Sequence, residues 1–306
     1  MIRILVTGCC GFIGSNLIKQ LYADEIIGID NLDNYYDINI KKKRLEELEE
    51  LDNFKFFETD ICNRNTLEAI FKVFQPQYVV HLAAQAGVRY CEVNPRAYIN
   101  SNVIGFFNVC ECCKKYGVKH LVYASSSSVY GDTREPSKEE DILAPKSLYA
   151  ITKSFNEELA STYNFHTTGL RFFSVYGGNG RPDLFISKAI DAALNDKTLI
   201  INGDGEQKRD FTYIQDVCCG IIKALDEDKA QEKHRIYNIG AEHPHSLNEV
   251  IDIIERLTGK KINVIYKNKN KLDVSTTWSD CTKAKKEINW LPKIGLFEGL
   301  RRSIIL

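Results

Sequence analysis

The chain has 306 residues, of which 44% are hydrophobic and 26% are charged. Lysine and arginine number 40 and aspartate and glutamate 41, so the formal net charge is -1 at pH 7. This composition excludes a disordered or collagen-like chain. The near-neutral charge excludes the overall basic character that is typical of proteins that bind nucleic acid or anionic membranes. The length allows one large domain or two coupled domains.

Apolar runs and cysteines predict a cytoplasmic protein. No stretch approaches the roughly 18 apolar residues of a membrane span, and the first apolar run is too short for a signal peptide. The ten cysteines lie mostly in apolar segments, and the cluster at 110–113 lacks a second cluster at zinc-site spacing. We therefore expect reduced, buried thiols, no metal site, and no nucleic-acid or membrane partner.

Short β-rich runs alternate with helical patterns over roughly the first 175 residues. Strands are predicted at 2–7, 25–29, 55–58, 78–82, 118–124 and 167–172. Helices are predicted at 12–22, 39–51, 64–74, 95–116 and 147–163. Alternation of this kind predicts an α/β fold, a doubly wound parallel sheet of Rossmann type with helices on both faces.

The pattern is less regular after about residue 175. Strands are predicted at 199–201, 236–239 and 263–266, and helices at 214–225 and 247–257. We interpret 1–175 as a dinucleotide-binding domain and 176–306 as a smaller α/β lobe that binds substrate. The boundary is approximate, its segments can interleave, and the substrate is expected between the lobes.

Three glycines mark the turn from the first strand to the first helix. Gly8, Gly11 and Gly14 form a GxxGxxG motif, which permits a tight turn and a close approach of the backbone to a diphosphate. The N–H groups at the helix start, at Phe12 and Ile13, favour an anion. The motif alone is weak, but its place between strand and helix favours a dinucleotide site.

Asp30 ends the second strand, 22 residues after Gly8. A carboxylate there accepts hydrogen bonds from the adenosine ribose and repels a 2′-phosphate, which favours NAD over NADP. The alternative is a solvated carboxylate at a strand end. Further contacts to the cofactor are expected from residues at the carboxyl ends of neighbouring strands: Asn31, Asp60, Ile61, Leu82, Ala83 and Ala84.

Tyr149 and Lys153 are spaced to share one face of a helix. They follow a strand that ends in the serine segment 125–128, where a nicotinamide is expected. A nearby lysine and a nicotinamide cation would lower the pKa of a phenol and let it act as a base, and a serine hydroxyl could share the proton path. The alternative is a polar turn followed by an amphipathic helix.

Together these motifs resemble the extended short-chain dehydrogenase/reductase family of nucleotide-sugar epimerases and dehydratases. The glycine motif, the Val-Tyr-Gly at 129–131, the Tyr-Lys pair and the Arg-Asp-Phe at 209–211 stand in the family's order. The resemblance implies bound NAD, with Tyr149 as catalytic base, Lys153 as its helper and Ser126 as the hydroxyl that bridges substrate and base. It also implies a homodimer formed through the helices near 95–116 and 147–163.

Within the family, segments 30–37, 82–90, 123–131 and 180–183 most resemble UDP-glucuronate 4-epimerases. That branch interconverts UDP-glucuronate and UDP-galacturonate through a transient 4-keto sugar. The chain lacks the carboxylate that related dehydratases and decarboxylases carry within the serine segment. Two alternatives stay open: a 4-epimerase of a neutral or N-acetylated UDP-hexose, and a noncatalytic NAD-binding regulator.

The resemblance also implies a set of substrate contacts. Arg209 is expected to grip the diphosphate and Asp273 to bind the nucleotide, although an arginine often found shortly before Asp273 is absent and Lys271 stands nearby. Ser174 replaces a threonine that is common in the family, and Cys9-Cys10 replaces smaller residues in the first turn. The expected contacts are Arg89, Ser126, Ser127, Ser128, Tyr149, Ser174, Arg181, Arg209 and Asp273.

Overall fold

A computed structural model describes residues 2–133, 135–226, 232–269 and 271–305. The chain divides into two units whose segments interleave along the sequence. The first unit comprises Met1–Val129, Pro145–Arg171 and Cys218–Tyr237, and the second comprises Tyr130–Ala144, Phe172–Val217 and Asn238–Leu306.

The strands, in chain order, are β1 (Arg3–Thr7), β2 (Glu25–Asp30), β3 (Phe54–Glu58), β4 (Tyr78–His81), β5 (His120–Ser126), β6 (His166–Phe172), β7 (Ser174–Tyr176), β8 (Thr198–Asn202), β9 (Lys208–Tyr213), β10 (His234–Ile239), β11 (Pro244–Ser246) and β12 (Asn263–Lys267). The α-helices are α1 (Phe12–Ile18), α2 (Ile38–Glu49), α3 (Arg64–Phe74), α4 (Pro95–Tyr98), α5 (Phe106–Lys115), α6 (Leu148–Ser161), α7 (Phe185–Leu194), α8 (Ile214–Leu225), α9 (Leu247–Thr258), α10 (Thr282–Glu287) and α11 (Leu296–Ile305). None of these helices has the length and apolar character that a membrane crossing needs.

A seven-stranded sheet in the order β10-β6-β5-β4-β1-β2-β3 forms the centre of the first unit. β1 pairs in parallel with both β2 and β4, and β2–β3 and β4–β5 are also parallel. Strands covered by helices on both faces should be apolar throughout, and Leu5, Val79 and Leu121 are fully buried. The predicted doubly wound α/β fold is confirmed, and its glycine turn and serine segment both follow carboxyl ends of strands.

Two predicted helices differ from the structure. The first ends at Ile18 instead of continuing to residue 22. Its last turn tightens, since the N–H groups of Gln20 and Leu21 bond to carbonyls three residues back, and Tyr22 is exposed. The helix predicted at 95–116 is interrupted by a π-helical segment, Ile99–Gly105, between α4 and α5. The apolar periodicity of the sequence did not distinguish this wider turn from an α-helix.

Two smaller sheets belong to the second unit. β9 pairs in parallel with β7 and antiparallel with β11, and β8 pairs in parallel with β12. The sequence predicted β8, β12 and α9 near their observed positions. It missed β7, β9 and β11, which are short or mixed in polarity, and it missed α7, α10 and α11.

Candidate active site

The glycine turn between β1 and α1 packs directly against the backbone that follows β4. Gly8 has a positive φ of 72°, and a Cβ added there would lie 2.7 Å from the backbone nitrogen of Ala83. A Cβ on Gly14 would lie 2.2 Å from the carbonyl oxygen of Gly8. Because backbone atoms cannot give way as a flexible side chain can, both positions require glycine.

The same turn leaves room for an anion. Gly11 is the N-cap of α1 and has no side chain to accept hydrogen bonds from the first turn of the helix. The N–H groups at this end of α1 can therefore bind oxygens of a ligand. The residues present fit the diphosphate of a dinucleotide, and the cofactor contacts predicted for Gly8, Gly11, Phe12, Ile13 and Gly14 stay predictions.

Asp30 is a buried carboxylate beside the turn. Its two oxygens accept hydrogen bonds from the N–H groups of Cys10 (3.1 Å) and Leu32 (2.9 Å), and Lys41 Nζ lies 3.8 Å away. Burial raises the pKa of Asp30, while Lys41 and the two N–H groups oppose that rise. Each oxygen keeps a further lone pair that can accept from a ribose hydroxyl, so the site fits a dinucleotide here as well.

Replacement of Asp30 by alanine should weaken NAD binding. Each hydrogen bond to a charged acceptor contributes about 1.5–3 kcal/mol, so we expect affinity to fall by about 10–100-fold and the preference for NAD over NADP to narrow. Calorimetric titration of both cofactors measures this. Asp52→Ala removes an exposed carboxylate before β3 and is the control. Equal affinities in Asp30→Ala and wild type would contradict the assignment.

The other predicted cofactor contacts lie at the same edge of the sheet. The Asn31 amide donates to Asp60 (2.9 Å), and Asp60 also accepts from the N–H of Cys62 (2.7 Å). Partial burial acts to raise the pKa of Asp60, but these hydrogen bonds lower it below its usual value. The Ile61 side chain is buried in the hydrophobic core, and its carbonyl accepts a hydrogen bond from Asn108 (3.0 Å).

Leu82, Ala83 and Ala84 follow β4 and are half-buried. The Leu82 N–H donates to the carbonyl of Thr7, and the Ala83 N–H donates to the Thr7 hydroxyl (3.3 Å). These bonds hold the segment against β1, where the backbone of Leu82 and Ala83 borders the glycine turn.

Helix α6 carries the Tyr-Lys pair on a buried face. Ser147 begins the helix, since its hydroxyl accepts from the N–H of Ala150 (3.1 Å). Tyr149 and Lys153 are both buried, and Lys153 Nζ lies 6.0 Å from the centre of the Tyr149 ring. Nζ donates to the carbonyl of Ala124 on β5 (2.7 Å). Burial lowers the pKa of Lys153 to about 8, and the charge of Glu157 opposes the decrease.

The serine segment lies at the end of β5. Ser126 is buried and its hydroxyl accepts from the N–H of Ser128 (3.1 Å). Ser127 and Ser128 are half-buried and begin a 3₁₀ turn, Ser127–Val129. Because Ala124 binds the lysine, the three predicted catalytic residues are carried by two elements that the structure joins directly, β5 and α6.

The π-helical segment contributes a residue that sequence reasoning missed. Asn102 is fully buried; its amide donates to the Gln85 carbonyl (3.0 Å) and the Thr152 hydroxyl (3.0 Å), and it accepts from the Gln85 N–H (2.8 Å). The Thr152 hydroxyl donates to the carbonyl of Tyr149 (2.8 Å). Asn102 thus ties α6 to the chain after β4. The available signal was an asparagine inside an apolar helical run.

A buried ion pair supports the same helix. Glu157 lies one turn after Lys153 and accepts two bonds from Arg171 on β6, at 2.9 and 2.7 Å. The hydroxyl of Ser125, the neighbour of Ser126, also donates to Glu157. The Glu157 contacts therefore join α6, β5 and β6.

The remaining predicted substrate residues lie mostly in the second unit. Arg209 on β9 donates to the carbonyls of Lys208 (2.7 Å) and Ser275 (3.4 Å), which brings it to the segment that contains Asp273. Arg181 forms a two-bonded ion pair with Asp183 (3.0 and 2.9 Å).

Ser174 is half-buried at the start of β7 in this unit, whereas Arg89 is exposed in the first unit. The substrate roles of these residues stay predictions.

The strand carrying Arg209 is anchored by its neighbour Asp210. This carboxylate is fully buried and accepts from the N–H groups of Ala241 (2.7 Å), Glu242 (3.1 Å) and Ser279 (2.9 Å), as well as from the Ser279 hydroxyl. Burial raises the pKa of Asp210, and the Ser279 hydrogen bonds oppose that rise. Asp210 therefore fixes β9 to two loops of the second unit.

Comparison with known proteins gives the family. Residues 4–240 match the model of the NAD dependent epimerase/dehydratase family. The chain belongs to this family. It is 43% identical over 309 residues to the UDP-glucuronate 4-epimerase of Thermodesulfobacterium geofontis, and the match covers 98% of this chain and 94% of that protein.

Solved structures of the epimerase/dehydratase family resemble the whole chain. The UDP-glucuronic acid 4-epimerase from Bacillus cereus, in complex with UDP-glucuronic acid and NAD, matches with a TM-score of 0.92, 31% identity and coverage of 99% of this chain and 98% of that one. The UDP-glucose 4-epimerase from Thermotoga maritima with UDP-glucose matches with a TM-score of 0.89, 32% identity and the same coverage. The cofactor of the family is NAD, which agrees with the fit of Asp30 and the glycine turn.

Proposed function

We propose that this chain is an NAD-dependent UDP-glucuronate 4-epimerase, an isomerase that interconverts UDP-glucuronate and UDP-galacturonate. The observation that carries the proposal is the buried Tyr149–Lys153 pair, which is joined to β5. The serine segment at the end of β5 lies at the same edge of the sheet as the glycine turn that fits a dinucleotide. Similarity over nearly the full length to proteins named for this activity supports the choice of substrate.

Tyr149 is the proton acceptor in this proposal. In its phenolate form it takes the proton of the sugar C4 hydroxyl and becomes a phenol, and Ser126 supplies a hydroxyl between the substrate and the phenolate. Bound NAD supplies a reversible hydride acceptor, so C4 is oxidised and then reduced again with no net use of cofactor. The transient 4-keto sugar must turn between the two steps so that its other face is reduced.

Lys153 supplies the charge that favours the phenolate. Because its pKa is about 8, most Lys153 side chains are in the charged ammonium form near neutral pH. The bond to the Ala124 carbonyl fixes that ammonium near the end of β5, at the residue that precedes the serine segment. A fixed cation close to a phenol stabilises the anion that the reaction needs.

The enzyme must also prevent loss of the substrate carboxylate, because a 4-keto uronic acid is a β-keto acid and can lose carbon dioxide. Ser127 and Ser128, at the end of β5, provide neutral hydroxyl donors. Hydroxyl donors can hold the carboxylate away from alignment with the ketone without acting as an acid or base at C5. Residues 126–128 include no carboxylate that could do so.

The experiment that tests the function compares kcat/KM for UDP-glucuronate, UDP-glucose and UDP-N-acetylglucosamine, followed by proton NMR. Since bonds to a charged group contribute about 1.5–3 kcal/mol each, we expect UDP-glucuronate to be preferred by about 10–100-fold. Ser128→Glu should reject UDP-glucuronate more than UDP-glucose, because it adds a like charge. Ser128→Ala removes only one hydroxyl donor, so it should lower the preference for UDP-glucuronate by less than Ser128→Glu does. Accumulation of a UDP-pentose or a 4-keto-6-deoxy sugar would contradict the epimerase assignment.

A 4-epimerase of a neutral or N-acetylated UDP-hexose is the second candidate. It is favoured by the similarity to the Thermotoga maritima UDP-glucose 4-epimerase, whose 32% identity to this chain equals that of the Bacillus cereus UDP-glucuronic acid 4-epimerase in its complex with NAD. Preference for a neutral sugar in the same comparison would select it. NAD binding without turnover of any UDP-sugar would select the noncatalytic regulator.

We also propose that the enzyme is a homodimer. Apolar side chains lie exposed on three elements of the first unit: Ile99 and Ile104 in the π-helical segment, Phe107 on α5, and Ile151 and Phe155 on α6. Ile151 and Phe155 are one turn apart and are 52% and 41% exposed. A second copy of the chain would bury them.

The double variant Ile151→Glu/Phe155→Glu should therefore sediment as a monomer where the wild type sediments as a dimer. Val73→Glu, at an exposed valine on α3, is the control and should leave the dimer intact. A monomeric wild type at micromolar concentration would contradict the proposal. A cytoplasmic location belongs to the same proposal, supported by ten free cysteines, and cell fractionation tests it.

A further inference from the structure

The glycine turn brings two adjacent thiols together. Cys9 Sγ and Cys10 Sγ are 3.7 Å apart, and both residues are fully buried. The two sulfur atoms and a carboxylate oxygen of Asp30 all lie within 4.8 Å of one another. Over the described residues this is the one cluster of three histidine, cysteine or acidic side chains with such convergent atoms.

The spacing of the sulfur atoms suits one metal ion. In a tetrahedral site with metal–sulfur bonds of about 2.3 Å, two sulfur atoms are separated by about 3.8 Å. Neighbouring residues on a helix do not face each other, so the adjacent pairs Cys112–Cys113 on α5 and Cys218–Cys219 on α8 lack this convergence. The turn at positive-φ Gly8 produces it.

The charges around the thiols also balance. Two thiolates and the Asp30 carboxylate carry three negative charges, and a divalent cation leaves one. The Lys41 ammonium, buried 3.8 Å from Asp30, compensates that charge. Binding requires no redox partner, because each thiol loses a proton to solvent as its bond to the metal forms.

We infer that Cys9, Cys10 and Asp30 form a binding site for a thiophilic divalent cation of the class of Zn²⁺ and Cd²⁺, and that the cation excludes the dinucleotide. The ion occupies the Asp30 oxygens that face the ribose and fixes the turn that holds the diphosphate. The inference goes beyond the proposed function, since the site is inhibitory and its cysteines take no part in epimerisation. Adjacent cysteines lack the spacing that is typical of zinc ligands, so no metal was expected here from the sequence.

Cadmium titration of the NAD-free protein tests the site through sulfur-to-cadmium charge-transfer absorption. We expect one equivalent of Cd²⁺ per chain to produce the band. Cys9→Ala and Cys10→Ala should each weaken binding by more than about 100-fold, because loss of even an outer partner of a metal site costs about 10–100-fold. Cys219→Ala, half-buried on α8, should bind as the wild type does. Calorimetric NAD binding by Cys10→Ala shows that its turn is still formed.

Competition provides the second readout. NAD should raise the apparent Kd for Cd²⁺ in proportion to its concentration, and Cd²⁺ should raise that for NAD. The inference is overturned if Cys10→Ala binds Cd²⁺ with the same affinity as the wild type. It is also overturned if the apparent Kd for Cd²⁺ does not change with the concentration of NAD. Cadmium binding without any turnover of UDP-sugars supports the inference and overturns the proposed function, whereas turnover without cadmium binding does the reverse.

Discussion

Tyr149→Phe should lower kcat by about 10²–10⁴-fold, the usual contribution of a well-placed acid–base group. The substitution removes only the hydroxyl, and the ring can keep its edge-on contact with Tyr98, whose centre lies 6.4 Å away. Folding and substrate affinity should therefore change little. A proton-NMR time course with UDP-glucuronate measures turnover, and calorimetry measures binding.

The matched control is Tyr266→Phe, which removes a hydroxyl from a half-exposed tyrosine on β12. This tyrosine has no lysine four residues later, and its hydroxyl bonds to Asn248 (3.1 Å). Its kcat should stay at the wild-type value. If Tyr149→Phe also kept a near-normal kcat, another group would have to accept the C4 proton and the assigned mechanism would be wrong.

Local sequence patterns predicted most of the first unit. The strand–turn–helix at Gly8–Gly14 and the Tyr149–Lys153 spacing depend on neighbouring residues, and a steric rule or a helical period connects each pattern with its structure. The parallel sheet follows because regular alternation of strands and helices leaves few other arrangements.

Features that depend on distant residues were not predictable in the same way. The short strands β7 and β11 have three residues each, too few for an alternating pattern to show. The π-helical segment differs from an α-helix by a fraction of a residue per turn, which a short apolar pattern does not resolve. The approach of Cys9 to Cys10 depends on the turn's backbone angles.

The Glu157–Arg171 pair had one signal that could have found it. Arg171 lies between Leu170 and Phe172 at the end of β6, and an arginine that is buried there needs a partner. What the sequence could not give is the identity of that partner, 14 positions earlier on α6. In the structure the Ser125 hydroxyl also donates a hydrogen bond to the Glu157 carboxylate. The Glu157–Arg171 pair therefore supports the end of β5, where Ser126 lies.

Breaking this pair should have a large effect on stability. Both side chains are at most 6% exposed, so Arg171→Met leaves an uncompensated buried carboxylate and should lower the free energy of unfolding by about 3–5 kcal/mol. Glu157→Gln/Arg171→Met removes both charges and keeps an acceptor for Ser125, so it should recover most of the loss. Urea unfolding followed by circular dichroism measures both. An equal loss in the single and double variants would contradict the charge argument.

The pair should also set the pH at which activity declines. Activity rises as the phenol loses its proton and falls when Lys153 loses its charge above a pKa of about 8. Glu157 opposes the decrease of that pKa, so Glu157→Gln should lower it further and move the alkaline limb of the kcat profile to lower pH. Arg171→Met leaves the Glu157 charge unbalanced and should move the limb to higher pH. If the Glu157–Arg171 pair acted only by packing, both variants would have a lower kcat, but neither limb of the pH profile would shift. Shifts of the alkaline limb in opposite directions require that the pair act on Lys153 through its charge.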